Sequence, residues 1–177
     1  MDGLLREQPG PVRVTLVGPG AVTRWCRPWL RDAAREVSGP RRWLHDLARY
    51  ADQGLRRLPG VPLVSLEALE LHRALRVPHE LTVVDVSARV LAAVGRDVPE
   101  ARCLRLNLAE EALAGEFDVV VAFNVISRVA DGAAAMRRLF AGVRPGGLLL
   151  VDDRSARRFL PPDGFRRVAA KTYERTA

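Results

Sequence analysis

Short apolar runs alternate with segments of helical period along this chain, an alternation that predicts an α/β protein built on a mostly parallel sheet. Five runs read as strands, at 12–17, 61–64, 81–84, 117–123 and 148–151, and a weaker one lies at 102–106. VVVAF and LLLV are apolar at every position rather than at every second one, so both faces are expected to be covered by helices. Between the runs, Trp29, Leu30, Ala33, Ala34 and Val37 share one helical face behind Pro28. Trp43, Leu44, Leu47, Ala48, Ala51 and Leu55 form the stripe of a helix at 42–58, bounded by Gly39-Pro40 and Pro59-Gly60. Its apolar side chains are read as core. A third helix is expected at 66–76. Ser87 and Asp131 are expected to cap two more, the last ending at Gly142 before a reversal made by Arg144-Pro145-Gly146-Gly147.

A length of 177 residues, with 48% hydrophobic and 28% charged positions, fits a single domain, 1–177, with a buried core. The longest apolar stretches fall far short of the roughly 18 to 20 residues that cross a bilayer, so no membrane span is expected. Residues 1–11 carry Asp2, Arg6 and Glu7 and no apolar stretch, unlike a secretory signal, and a cytoplasmic location is expected. The net charge of +7 raises nucleic acid as a partner. Lys171 is the only lysine, however, and the arginines are dispersed without a basic block, so nucleic acid is not favoured. Cys26 and Cys103 stand far apart, and His45, His72 and His79 lack metal-ligand spacing, so no metal is expected.

From Leu81 onward the order of elements resembles the class I S-adenosylmethionine-dependent methyltransferase family. LTVVDVSARVLAAV is similar to the family's second strand and following helix, and the resemblance implies that Asp85 accepts hydrogen bonds from the cofactor's ribose hydroxyls beside Ser87. A carboxylate offers two acceptor oxygens to a vicinal diol, and at the carboxyl end of a parallel strand it stands at the mouth of the ligand crevice. CLRLNLAEEAL resembles the third strand and its loop, implying adenine contacts for Asn107 and Leu108, with asparagine where the family often has an acid. EFDVVVAFNVISRVADGAAAMRRLFAGVRPGGLLLVDD, residues 116–153, carries the strongest likeness. It implies that Asn124 faces the cofactor and that Ser127 and Arg128 face the substrate.

The family's glycine-rich loop should precede the ribose-binding acid by about 20 residues. Ser65-Leu66-Glu67-Ala68 stands there and holds no glycine. Two threadings follow. In the favoured one VRVTLV is strand one, Gly18 and Gly20 form the cofactor loop, and about 39–78 is a helical insertion or cap. In the other, VPLVS is strand one and the loop is lost. Only 24 residues follow Asp153, which implies a reduced C-terminal sheet edge, one that a second copy or a partner chain could complete.

The expected fold is therefore Rossmann-like, a doubly wound and mostly parallel sheet with helices on both faces. The expected function is a small methyltransferase using S-adenosylmethionine on a small-molecule nucleophile, with no catalytic side chain identified. The competing reading is a non-catalytic binding or scaffold protein that keeps the fold without turnover. An oxidoreductase using Gly18 and Gly20 would leave the Asn124 loop and the Pro-Gly-Gly segment as coincidences.

Overall fold

A computed structural model describes residues 10–25, 40–151, 158–159 and 163–176. The helix expected at 29–37, Cys26 and Asp153 lie outside the described residues. A seven-stranded sheet organises the remainder. Its strands are β1 (Val12–Val17), β4 (His79–Asp85), β5 (Arg102–Arg105), β6 (Phe117–Ala122), β7 (Val143–Val151), β8 (Phe165–Ala169) and β9 (Thr172–Arg175), in the order β5-β4-β1-β6-β7-β9-β8. The first five run parallel, and β9 and β8 are antiparallel. This is the parallel α/β sheet expected from the pattern of apolar runs and the Rossmann-like architecture the resemblance implied.

Alternation within the strands divides the core. Val14, Leu16, Val83, Val119 and Val121 turn to one face and pack with α2 (Leu66–Ala74) and α3 (Ala88–Asp97). Val17, Val84, Val120, Ala122 and Leu149 turn to the other, against Met136, Leu139 and Phe140 of α4 (Gly132–Ala141). Both faces are therefore dry, which explains runs that are apolar at every position. The side chains of Ser87 and Asp131 accept hydrogen bonds from the amides of Val90 and Ala134, so both expected caps are present.

β1 lies at the centre, paired in parallel with β4 on one side and β6 on the other, so VRVTLV is strand one of the large sheet. VPLVS is not. Its Leu63–Val64, β3, pairs antiparallel with β2 (Val22–Thr23) in a separate two-stranded sheet. The segment between β2 and β4 also holds α1 (Pro40–Leu55) and α2. Ser65, fully buried, caps α2 by accepting the Ala68 amide at 3.3 Å. Ser65→Ala is expected to cost about 1 kcal/mol of stability, the ordinary loss for a helix cap, measurable by urea denaturation.

Three expectations are corrected. Arg144-Pro145-Gly146-Gly147 does not reverse the chain but bulges within β7. Between Phe117↔Val143 and Val119↔Leu148, β6 advances two residues and β7 five. Pro145 has no amide for the ladder, Gly146 takes φ +73, and a Cβ on Gly147 would lie 2.9 Å from the Arg144 carbonyl. The bulge lets Arg144 pair with the buried Asp118, whose second oxygen accepts the Arg13 amide at 2.7 Å. The C-terminal edge, secondly, is not reduced. Ala170 and Lys171, the latter at φ +61, close a hairpin between β8 and β9, and Tyr173 of β9 joins the core. So tight a connection lets a short tail supply both strands. Thirdly, α1 does not bury the whole of its apolar stripe. Leu47 is 57% exposed, whereas Asp52 is 3% exposed and accepts the Thr23 amide at 2.6 Å. That buried polar contact, rather than the stripe alone, sets how the helix docks on β2.

Candidate functional site

In an open parallel sheet the crevice forms where successive connections leave a central strand in opposite directions, at the carboxyl ends. Here that point lies at the end of β1, between β4 and β6. A cavity of about 520 Å³ opens there.

Gly18, Pro19 and Gly20 form its floor. Gly18 takes φ +61 and donates its amide to the Val84 carbonyl at 2.7 Å, extending the β1–β4 ladder by one bond into the loop. A Cβ on Gly18 would lie 2.6 Å from Val125 Cγ2 on the opposite wall, so this glycine answers both to backbone conformation and to close approach. Gly20 also lines the cavity, yet its amide donates to Glu67 Oε2 at 2.9 Å and a Cβ there would meet Glu67 Oε1 at 3.1 Å. The Gly20 amide is thus already engaged from within the chain, a contact the sequence reading did not foresee.

Asp85 ends β4 and lines the cavity. Its Oδ1 accepts the Ser87 amide at 2.7 Å, and Ser87 in turn caps α3. Burial pushes the Asp85 carboxyl above its ordinary range, while the Ser87 amide, the Arg128 charge and the Val86 amide pull it down. Asn107 follows β5, and its Oδ1 accepts the Ala109 amide at 3.1 Å. What Asn107 offers the cavity is therefore its Nδ2 donors rather than the acceptor that an acidic residue would present. Leu108, 4% exposed, stands beside it. Asn124 leaves β6 at φ +56, a left-handed conformation that asparagine tolerates better than other side-chain-bearing residues. Arg128 closes a 3₁₀ turn, Ile126–Arg128, on the same wall. Ser127 alone of the nominated residues does not line the cavity and is exposed to solvent.

Glu67 was passed over because its contact with Gly20 spans 47 positions and no local pattern announces it. Burial is the largest influence on its carboxyl and raises its pKa above the ordinary 4.5. The Gly20 amide and Arg128 oppose that rise, and Glu70 adds to it. A raised value means that the folded protein holds this proton more tightly than the unfolded chain does. The stabilisation is present below about pH 4.5 and is lost as pH climbs through the raised value. Glu67→Gln keeps an oxygen for the Gly20 amide and removes the charge. It is expected to be more stable than wild type at neutral pH, the difference vanishing in acid, as denaturation at several pH values would show.

Part of this arrangement, including the acid that ends β4, is matched in sequence as well. Residues 65–149, just under half of the chain, match the family described as Methyltransferase domain. Over that segment the chain is similar to methyltransferase domains, in keeping with its resemblance to the class I S-adenosylmethionine-dependent family. The matched segment holds β4, β5, β6 and most of β7 and leaves out β1 and its glycine loop, which the sheet itself supplies. No curated protein matches the chain by sequence.

Among solved structures, a TehB-like SAM-dependent methyltransferase from Corynebacterium glutamicum aligns with TM-score 0.51 at 12% identity, over 94% of this chain and 79% of its own. The N-methyltransferase NodS from Bradyrhizobium japonicum gives 0.50 at 15% identity, over 95% and 88%. The CMeT domain of the citrinin polyketide synthase gives 0.49 at 17% identity, over 85% and 31%. At these identities the likeness is one of fold. The chain spans between 31% and 58% of the length of several such structures. Among the described residues, no group of three or more His, Cys, Asp or Glu is arranged to hold a metal, and no helix is long and apolar enough to cross a membrane.

Proposed function

We propose that the crevice binds S-adenosylmethionine and that the domain transfers its methyl group to a small-molecule nucleophile. The observation that carries this reading is Asp85, a partly buried carboxylate at the carboxyl end of β4 that lines the cavity and whose Oδ1 is held by the Ser87 amide. A half-buried acid whose charge is opposed by burial is a costly feature of the ligand-free fold, and donors from a diol would repay it. The residues present fit the cofactor. The cavity volume lies within the roughly 300 to 1,000 Å³ of small-molecule sites. Leu108 and Val86 give apolar walls, Asn107 gives amide donors suited to a ring nitrogen, and Gly18 brings no side chain to the lining.

When bound, the cofactor supplies a methyl on a cationic sulfur, whose transfer to an acceptor lone pair leaves a neutral thioether. The protein's own part is to hold, align and dehydrate. Asp85 fixes the ribose end, the loop after β1 fixes the depth, and Asn124 and Arg128 border the side from which an acceptor enters. Positioning of this kind accounts for large rate gains without a nucleophilic side chain. Gly20 is engaged by Glu67, so its amide is not the ligand donor; this departure leaves the non-catalytic reading as the alternative to exclude.

Calorimetry on ligand-stripped protein with S-adenosylmethionine and S-adenosylhomocysteine tests the reading. Saturable binding of both is expected, and absence of binding at millimolar ligand would remove the methyltransferase assignment.

A further inference from the structure

Several arginines near the crevice hold backbone carbonyls. Around the crevice, Arg56 donates to the Ala21 carbonyl at 3.3 Å, and Arg89 donates to the Arg56 and Val61 carbonyls at 2.9 and 2.7 Å. Arg105 reaches the Val86 carbonyl at 3.2 Å and Arg138 the Leu108 carbonyl at 3.1 Å. These contacts tie down loops bearing the site and account for part of the basic excess without a polyanionic partner. Arg128 differs from these in what it does at the cavity. It is exposed and lines the cavity, yet among the described residues its guanidinium makes no hydrogen bond and no ion pair. The two carboxylates that feel its charge are engaged elsewhere, Asp85 by the Ser87 amide and Glu67 by the Gly20 amide.

An arginine presents a planar fork that matches a carboxylate or phosphate through two parallel hydrogen bonds. Arg128 ends the short 3₁₀ turn Ile126–Arg128 that follows Asn124 and Val125, and Val125, Val129 and Ala130 also line the cavity. A ligand that met this wall would place an apolar body against the valines and an anion on the guanidinium. We infer that the methyl acceptor is a small molecule bearing a carboxylate or phosphate group, and that Arg128 takes that group while the acceptor's nucleophile faces the crevice. This rests on the methyltransferase reading above and adds the class of acceptor.

The test uses the full chain, inorganic phosphate as the probe and the thermal midpoint as the readout, with ionic strength held constant by sodium chloride. A rise in midpoint with S-adenosylhomocysteine alone reports the cofactor site, and its absence defeats the methyltransferase reading whatever phosphate does. With S-adenosylhomocysteine saturating, millimolar phosphate is expected to raise the wild-type midpoint further and saturably. Arg128→Gln should abolish that second rise and keep the first. Arg137→Gln, at an exposed position on α4, should keep both. No second rise in wild type, or an equal one in Arg128→Gln, would overturn the inference. Loss of the S-adenosylhomocysteine shift itself in Arg128→Gln would reassign Arg128 to the cofactor's carboxylate and likewise overturn it. So would Arg128-dependent protection by a single-stranded oligonucleotide without any by phosphate, which would make the acceptor a nucleic acid.

Discussion

Replacing Asp85 with alanine is expected to weaken S-adenosylhomocysteine binding by about 1.5 to 3 kcal/mol, one to two orders of magnitude, the usual range for a hydrogen bond to a charged group. The structure adds a second expectation of opposite sign. The Asp85 carboxyl is pushed up by burial, so its ionised form burdens the ligand-free fold at neutral pH. Asp85→Asn keeps an acceptor for the Ser87 amide while removing the charge. Its ligand-free midpoint should therefore equal or exceed that of wild type, even though its ligand-induced rise is smaller. A functional acid should show this exchange of stability for affinity, and an acid that merely starts a turn should not. Unchanged affinity in folded Asp85→Ala, read by calorimetry, would remove the ribose assignment.

Gly18→Ala is expected to cost about 2 to 5 kcal/mol of unfolding free energy. Roughly 1 to 2 kcal/mol comes from forcing a side-chain-bearing residue to φ +61, and about 1 to 3 kcal/mol from crowding the Cγ2 of Val125, which would lie 2.6 Å away. The two parts are separable. In the double variant Gly18→Ala with Val125→Ala, the crowding is relieved and the conformational cost remains, so the pair should be non-additive in urea denaturation. Simple additivity would show that the loop after β1 does not approach the wall after β6 as closely as described.

The parallel part of the sheet was legible because its strands are buried on both faces, and a strand buried on both faces shows as an unbroken apolar run. Asp85 and Ser87 were legible because the strand end and the helix cap are local features, readable within a few residues. The features that were misread depend on distance or on context. Arg144-Pro145-Gly146-Gly147 has the composition of a turn, and only its neighbour β6 makes it a bulge inside β7. β8 and β9 are short, and β8 is almost wholly exposed, so the hairpin lacks the apolar signal that marked the central strands. The docking of α1 through Asp52 and the hold of Glu67 on Gly20 each join residues dozens of positions apart. Between the two threadings, register decided: β1 pairs with β4 over six residues, and β3 pairs only with β2.

The crevice at the carboxyl ends of β1, β4 and β6 is proposed to hold the cofactor. Amide chemical-shift mapping of the full chain with S-adenosylhomocysteine tests it most directly. Saturable shifts are expected at Gly18, Asp85, Ser87, Leu108 and Asn124, with none at the hairpin formed by β8 and β9. Shifts confined to the hairpin or to the amino-terminal ends of the strands, with the Gly18 and Asp85 amides unmoved at saturation, would contradict it.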